Sequence, residues 1–115
     1  MVVRQGDVVW VRFPPARGSA PAGRRPALVL QHDRFNRTAL NTAIVAAITS
    51  NVRYGALPGN VRLSKREGGL PRVSVVNVTQ IATVDRSDID SVAGRISLRR
   101  LSEVWDGVRL ILEPT

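Results

Sequence analysis

The sequence contains no cysteine and a single histidine, and these two shortages remove whole classes of chemistry. Without thiols there is neither a disulfide framework nor a thiolate zinc site. With His32 as the only imidazole, a ribonuclease built on a histidine pair is excluded by count, and serine nucleophiles lack the base they need. His32 ends a buried-looking strand and reads as a satisfied structural residue. Acids are scarce as well: residues 1–80 offer only Asp7, Asp33 and Glu67 beside His32, where a metal-dependent nuclease needs clustered ligands. No metal and no cofactor is expected. No apolar run approaches the roughly 20 residues that span a bilayer, and the opening MVVR lacks the core of a signal peptide. The expectation is a soluble, cytoplasmic protein.

What the chain does have is positive charge, unevenly placed. Residues 1–80 carry 12 basic and 3 acidic side chains, whereas residues 81–115 carry 5 and 6. Such a clustered field suits a phosphate polymer, because each neutralised phosphate releases counterions. Sixteen of the 17 basic residues are arginine, which fits forked phosphate contacts but also an arginine-rich proteome. A length of 115 residues fits one domain, 1–115, with a single core.

Two strand-like runs flank the basic stretch. Val8 to Phe13 is β-branched and aromatic and is stopped by Pro14-Pro15, while Ala27 to Leu30 is an apolar run suited to a strand buried on both faces. Between them lies a loop of Gly, Pro, Ser and Ala with Arg17, Arg24 and Arg25 in it. Its GRRPAL has neither the lysine pattern nor the following helix of a phosphate-binding glycine loop. Residues 34–42 read as a hairpin, Ala43 to Ile48 as a third strand, and 51–60 as a mobile loop. Val61 to Leu63 reads as a short exposed strand and KREGGLPR as a turn. Val73 to Val78 and Gln80 to Val84 read as strand around a bend, and Asp85 to Asp90 as an acidic connector. From the cap Ser97, apolar residues from Leu98 to Leu112 recur at three- and four-residue spacing, which predicts a C-terminal helix lying on the sheet. Gly107 inside it weakens the helix by about 1 kcal/mol, so a close packing contact is expected there.

RNA can be cut without a metal or a histidine pair, because its own 2′-hydroxyl can attack the adjacent phosphorus. The protein then needs to orient the chain and stabilise the charged transition state, and arginine beside a hydroxyl suits that task. If an antiparallel hairpin is centred near Arg37, residues whose numbers add to 74 face each other, and Arg25 lies opposite Thr49. A slip of one residue would turn one of the pair to the other face. Spacing alone leaves open that Arg25 is a solvated strand-end arginine and Thr49 an ordinary strand threonine.

At these residues the chain resembles the MazF/PemK family of toxin endoribonucleases. The shared elements are Gly6-Asp7-Val8 with Trp10, Gly18-Ser19, Arg25-Pro26, Ile48-Thr49-Ser50, and Asp-led connectors before a C-terminal helix. The resemblance implies a mainly β fold with a C-terminal helix (α+β), an SH3-like barrel of the MazF/PemK type. It also implies a homodimer, an acidic antitoxin of the MazE type, and metal-independent cleavage of single-stranded RNA that leaves 2′,3′-cyclic phosphate and 5′-hydroxyl ends. By position, Arg25 and Thr49 match the family's catalytic pair, and Ser19, Arg24, Asn36, Ser50, Asn51 and Gln80 fall where relatives line the RNA groove. One departure stands out: many relatives read GSEQ in the first loop, with a glutamate proposed for acid and base chemistry, where this chain has Ala20. The same barrel also serves toxins that poison DNA gyrase and non-catalytic nucleic-acid-binding modules.

Overall fold

The structure, a computed structural model, describes residues 2–15 and 17–115. Six strands form one antiparallel sheet: β1 (Asp7–Phe13), β2 (Gly23–Val29), β3 (Thr42–Thr49), β4 (Val61–Leu63), β5 (Ser74–Asp85) and β6 (Ile89–Arg95), in the order β4-β5-β3-β2-β1-β6. The sheet curls into a half-barrel with β4 and β6 as its edges, and the C-terminal helix α2 (Leu98–Leu112) lies against it. The expected architecture, mainly β with one long C-terminal helix, is the one observed.

Alternation along the strands explains why both faces are covered. In β1, Val9, Val11 and Phe13 join Ala27, Val29, Ala43 and Val45 in one apolar cluster, while Val8 joins Leu28, Ala46, Ile48 and Val76 in another on the opposite face. Val8, Val9 and Val11 are each completely buried. At about 1.5–3 kcal/mol for each fully buried side chain of this kind, the central strands carry much of the stability. The second cluster is roofed by the middle of α2 through Val104 and Val108, whereas Leu98 and Leu112 at the helix ends are 85% and 66% exposed. The apolar stripe is therefore longer than the core it covers. Ser97 caps α2 by accepting from the Arg100 N–H at 3.1 Å.

Four local readings change. The short strand β4, expected to be exposed, turns Val61 and Leu63 into the core and leaves only Arg62 outside. The segment expected to be a hairpin begins with a one-turn helix, α1 (Asp33–Asn36), capped by His32, whose Nδ1 accepts from the Arg34 N–H at 2.9 Å. His32 is structural, but exposed rather than buried. Arg86 secures the end of α1 by donating to the Asn36 and Phe35 carbonyls at 2.7 and 3.3 Å. Residues 51–60, expected to be a mobile loop, contain a 3-10 turn over Val52–Ala56, capped by the Asn51 side chain. Finally, β6 follows the acidic connector where the sequence suggested no element; it pairs with β1 through two register shifts.

Candidate active site

β2 and β3 pair as Ala27↔Ala47, Leu28↔Ala46 and Val29↔Val45, so facing residue numbers add to 74. Ladder pairing stops before the strand ends, and extending the register places Arg25 across from Thr49. Both residues line one groove of about 320 Å³. Its near wall is the β1–β2 loop at residues 18–22, its far wall holds Tyr54 from the 3-10 turn, and Asn77 and Gln80 of β5 also line it. β5 reaches the groove because of a wide bulge: Ile48 pairs with Val76 and Ala46 with Ile81, leaving residues 77–80 opposite Ala47 alone.

The two central side chains are each anchored at one end. Arg25 Nε donates to the Ala22 carbonyl at 3.0 Å, which leaves its two terminal nitrogens as donors. Thr49 Oγ1 accepts from the Asn51 N–H at 3.1 Å, so its own hydroxyl hydrogen can be donated elsewhere. Among the described residues Arg25 has no carboxylate partner, whereas Arg12 and Arg24 both pair with Asp90, at 2.7 and 3.1 Å. The charge of Arg25 is thus left for an anion in the groove, next to a neutral hydroxyl donor. Gln80 Nε2 donates to the Ser19 carbonyl at 2.6 Å and ties the first loop across the groove. Among the described residues no three His, Asp or Glu side chains gather to hold a metal ion.

The remaining sequence candidates divide. Ser19 and Gln80 line the groove with Arg25 and Thr49. Ser50 and Asn51 follow Thr49 and are exposed, but neither lines it; Asn51 Oδ1 caps the 3-10 turn through the Arg53 N–H at 3.2 Å. Arg24 lies on the opposite face of β2 from Arg25, stacked over Trp10 with its guanidinium 4.4 Å from the ring centre and paired with Asp90. Asn36 is 1% exposed and away from the groove: its amide donates to the Gln31 carbonyl and Asp33 at 2.7 and 3.2 Å and accepts from Gln31 Nε2 at 3.0 Å. It organises α1 and presents nothing to a ligand. Asp33 also accepts from the Gln5 N–H at 2.7 Å, and this bond chiefly holds its carboxyl below the usual range.

Two groove residues, Tyr54 and Asn77, escape sequence reading. The signal for Asn77 is an asparagine inside Val75-Val76-Asn77-Val78, where each neighbour is a buried valine. Tyr54 is the only tyrosine of the chain, set in a segment otherwise taken for loop.

Residues 4–112 match the family model described as PemK-like, MazF-like toxin of type II toxin-antitoxin system. The chain is similar to the endoribonuclease MazF2 of Mycobacterium bovis, 42% identical over 98% of this chain and 99% of the relative. It is 34% identical to the endoribonuclease EndoA of Bacillus subtilis, over 97% and 96% of the two chains. Among solved structures, MazF from Deinococcus radiodurans superposes with a TM-score of 0.81 at 26% identity, covering 99% of each chain. A MazE–MazF structure from the same organism gives a TM-score of 0.77 at 26% identity, over 100% of this chain and 99% of the other.

Proposed function

The chain belongs to the PemK-like, MazF-like family of type II toxins, and from that premise we propose that the groove holding Arg25 and Thr49 is where it binds and cuts single-stranded RNA. The activity is that of an endoribonuclease; the residues and the chemistry are the proposal. One observation carries it: a guanidinium and a hydroxyl, each anchored by one backbone hydrogen bond, share a groove and keep donors to spare. Two such donors match the non-bridging oxygens of one phosphodiester.

In the reaction, the 2′-oxygen attacks phosphorus as the bond from phosphorus to the 5′-oxygen breaks. The 2′-hydroxyl proton passes to water or to a group of the RNA, and the departing 5′-oxygen takes up a proton. A 2′,3′-cyclic phosphate and a 5′-hydroxyl result. Arg25 stabilises the negative charge that builds on the phosphoryl oxygens, and Thr49 donates to the same group and fixes its orientation. Ala20 stands where many relatives have a glutamate, so the first loop supplies no carboxylate for proton transfer.

The partners follow from charge and surface. A net charge of +8 attracts RNA and, equally, an acidic antitoxin of the MazE type that folds as it covers the groove. Two basic copies repel unless they meet through apolar surface. An apolar groove of about 440 Å³ between α1, β3 and α2, lined by Phe35, Leu40, Ile44, Trp105 and Leu112, gives a second copy such a surface. The single domain acts in the cytoplasm, and among the described residues no helix is long and apolar enough to cross a membrane.

The test is digestion of single-stranded RNA in excess EDTA with analysis of the ends. Cleavage should persist and leave 2′,3′-cyclic phosphates. Complete dependence on added magnesium, or 3′-hydroxyl ends, would overturn this mechanism.

A further inference from the structure

Asn77 is 1% exposed yet lines the groove. Its side-chain oxygen is fully engaged, accepting from Asn60 Nδ2 at 3.1 Å, the Thr79 N–H at 3.1 Å and the Thr79 hydroxyl at 2.6 Å. The orientation of this amide is dictated from the backbone outward. The Val78 N–H donates to Asn60 Oδ1 at 2.9 Å, which forces the Asn60 NH₂ to the other side, where it donates to the Tyr54 carbonyl at 3.0 Å and to Asn77. Flipping either amide would set donors against donors. The Asn77 NH₂ therefore has nothing on its own oxygen's side to compete with it, and among the described residues it donates to no group. It opens onto the groove, where its direction is already fixed by the bonds to its oxygen, so an acceptor placed there meets a donor that needs no reorganisation. The same Asn60 bond fixes the backbone of Tyr54, the half-buried aromatic residue of the groove wall.

We infer that Asn77 and Tyr54 form a base-recognition subsite, in which Asn77 Nδ2 donates to an acceptor on the edge of one unstacked RNA base and the Tyr54 ring stacks on its face. The inference rests on the RNA-cleaving reading above and adds to it the origin of sequence preference at one nucleotide. Arg25 and Thr49 grip phosphate, which every nucleotide carries, so they cannot distinguish bases. A neutral amide fixed by its neighbours can, because a base offering a donor at that point leaves two donors opposed, while a base offering an acceptor satisfies both groups. The aromatic face accepts any base and does not itself choose, but by holding the base in place it presents the base edge to Asn77, so losing the ring weakens the choice as well as the affinity.

Asn77→Asp tests this, since it keeps the oxygen that Asn60 and Thr79 donate to and replaces the free donor by an acceptor. A randomised single-stranded RNA pool is digested, and the ends are sequenced. The wild type should select strongly at a position beside the cut; in Asn77→Asp that selectivity should fall at least tenfold while the other positions keep theirs, and Tyr54→Leu should erode the same position. A second arm needs no variant: in the preferred RNA, a base analogue lacking the edge acceptor at that position should lower kcat/KM of the wild type at least tenfold. An unchanged profile, an equal loss at every position, or normal cutting of the analogue would overturn the subsite. A wild type that leaves the whole pool uncut would instead overturn the RNA reading, and the subsite with it.

Discussion

Gly107 of α2 and Gly59, in the turn after the 3-10 segment, meet backbone to backbone: a Cβ on Gly107 would run into the Gly59 carbonyl oxygen, and one on Gly59 would lie 3.0 Å from the Gly107 Cα. Gly59 also has φ +87°, a conformation that disfavours a side chain. The helix crosses the loop that leads into β4 at this point because neither residue has a side chain. Two effects oppose each other in Gly107→Ala. Helix propensity gains about 1 kcal/mol, but the new methyl meets a fixed carbonyl rather than a movable side chain. The clash should win, and urea denaturation should show a net loss of about 2 kcal/mol. A variant as stable as the wild type would mean that α2 can lift off the loop freely.

Removing the phosphate grip should abolish chemistry and spare the fold. Arg25 is exposed, so Arg25→Ala should retain the wild-type circular dichroism and melting behaviour while kcat falls at least about 100-fold. Thr49→Val should also lose activity, and Thr49→Ser should keep most of it because the hydroxyl survives. Arg24→Ala, on the other face and paired with Asp90, is the control. If Arg25→Ala cleaves within tenfold of wild type, the reacting phosphate lies elsewhere.

Stability should respond to acid through Glu67. Its carboxylate accepts from Arg100 Nε at 2.8 Å, Arg100 Nη2 at 3.2 Å and the Ser64 N–H at 2.9 Å, joining the turn before β5 to the start of α2. The Arg100 bond is the main cause of a carboxyl held below the usual glutamate range. A depressed value in the folded state stabilises above the unfolded value and is lost as pH falls through the folded one. Glu67→Gln should therefore be less stable by about 1–2 kcal/mol at pH 7. That gap should begin to close below about pH 4.3. A difference independent of pH would show that the amide's shape, not the charge, is responsible.

Association should depend on the apolar groove. Phe35 and Leu112 are 55% and 66% exposed on its rim, and Ile44 on its floor is 42% exposed. Light scattering should find a dimer of the wild type at micromolar concentration and a monomer of the double variant Phe35→Ser, Leu112→Glu with unchanged helix content. A monomeric wild type, or a variant that still dimerises, would place the contact on another surface.

Much of this molecule could be read from one dimension because the relevant physics is local. A valine-rich run makes β1 and an apolar run with isoleucine and valine makes β3, a serine cap followed by 3.6-residue spacing makes α2, and strand pairing obeys simple addition once the hairpin centre is set near Arg37. The same arithmetic brings Arg25 and Thr49 to neighbouring strand ends. It survives the unexpected α1 because that single turn and the residues after it still reverse the chain about Arg37. Asn36 could not be placed this way: its position matched a groove-lining site of relatives, but its burial comes from partners Gln31 and Asp33 and from how α1 folds back on them. Nor could β6, whose mixed sequence becomes strand only because β1 offers it an unpaired edge. The groove's composition was likewise decided in three dimensions, since Tyr54 and Asn77 reach it through a 3-10 turn and a bulge. The bulge exists only in the pairing of β5 with β3, and what the 3-10 turn faces depends on that pairing, which no local pattern encodes.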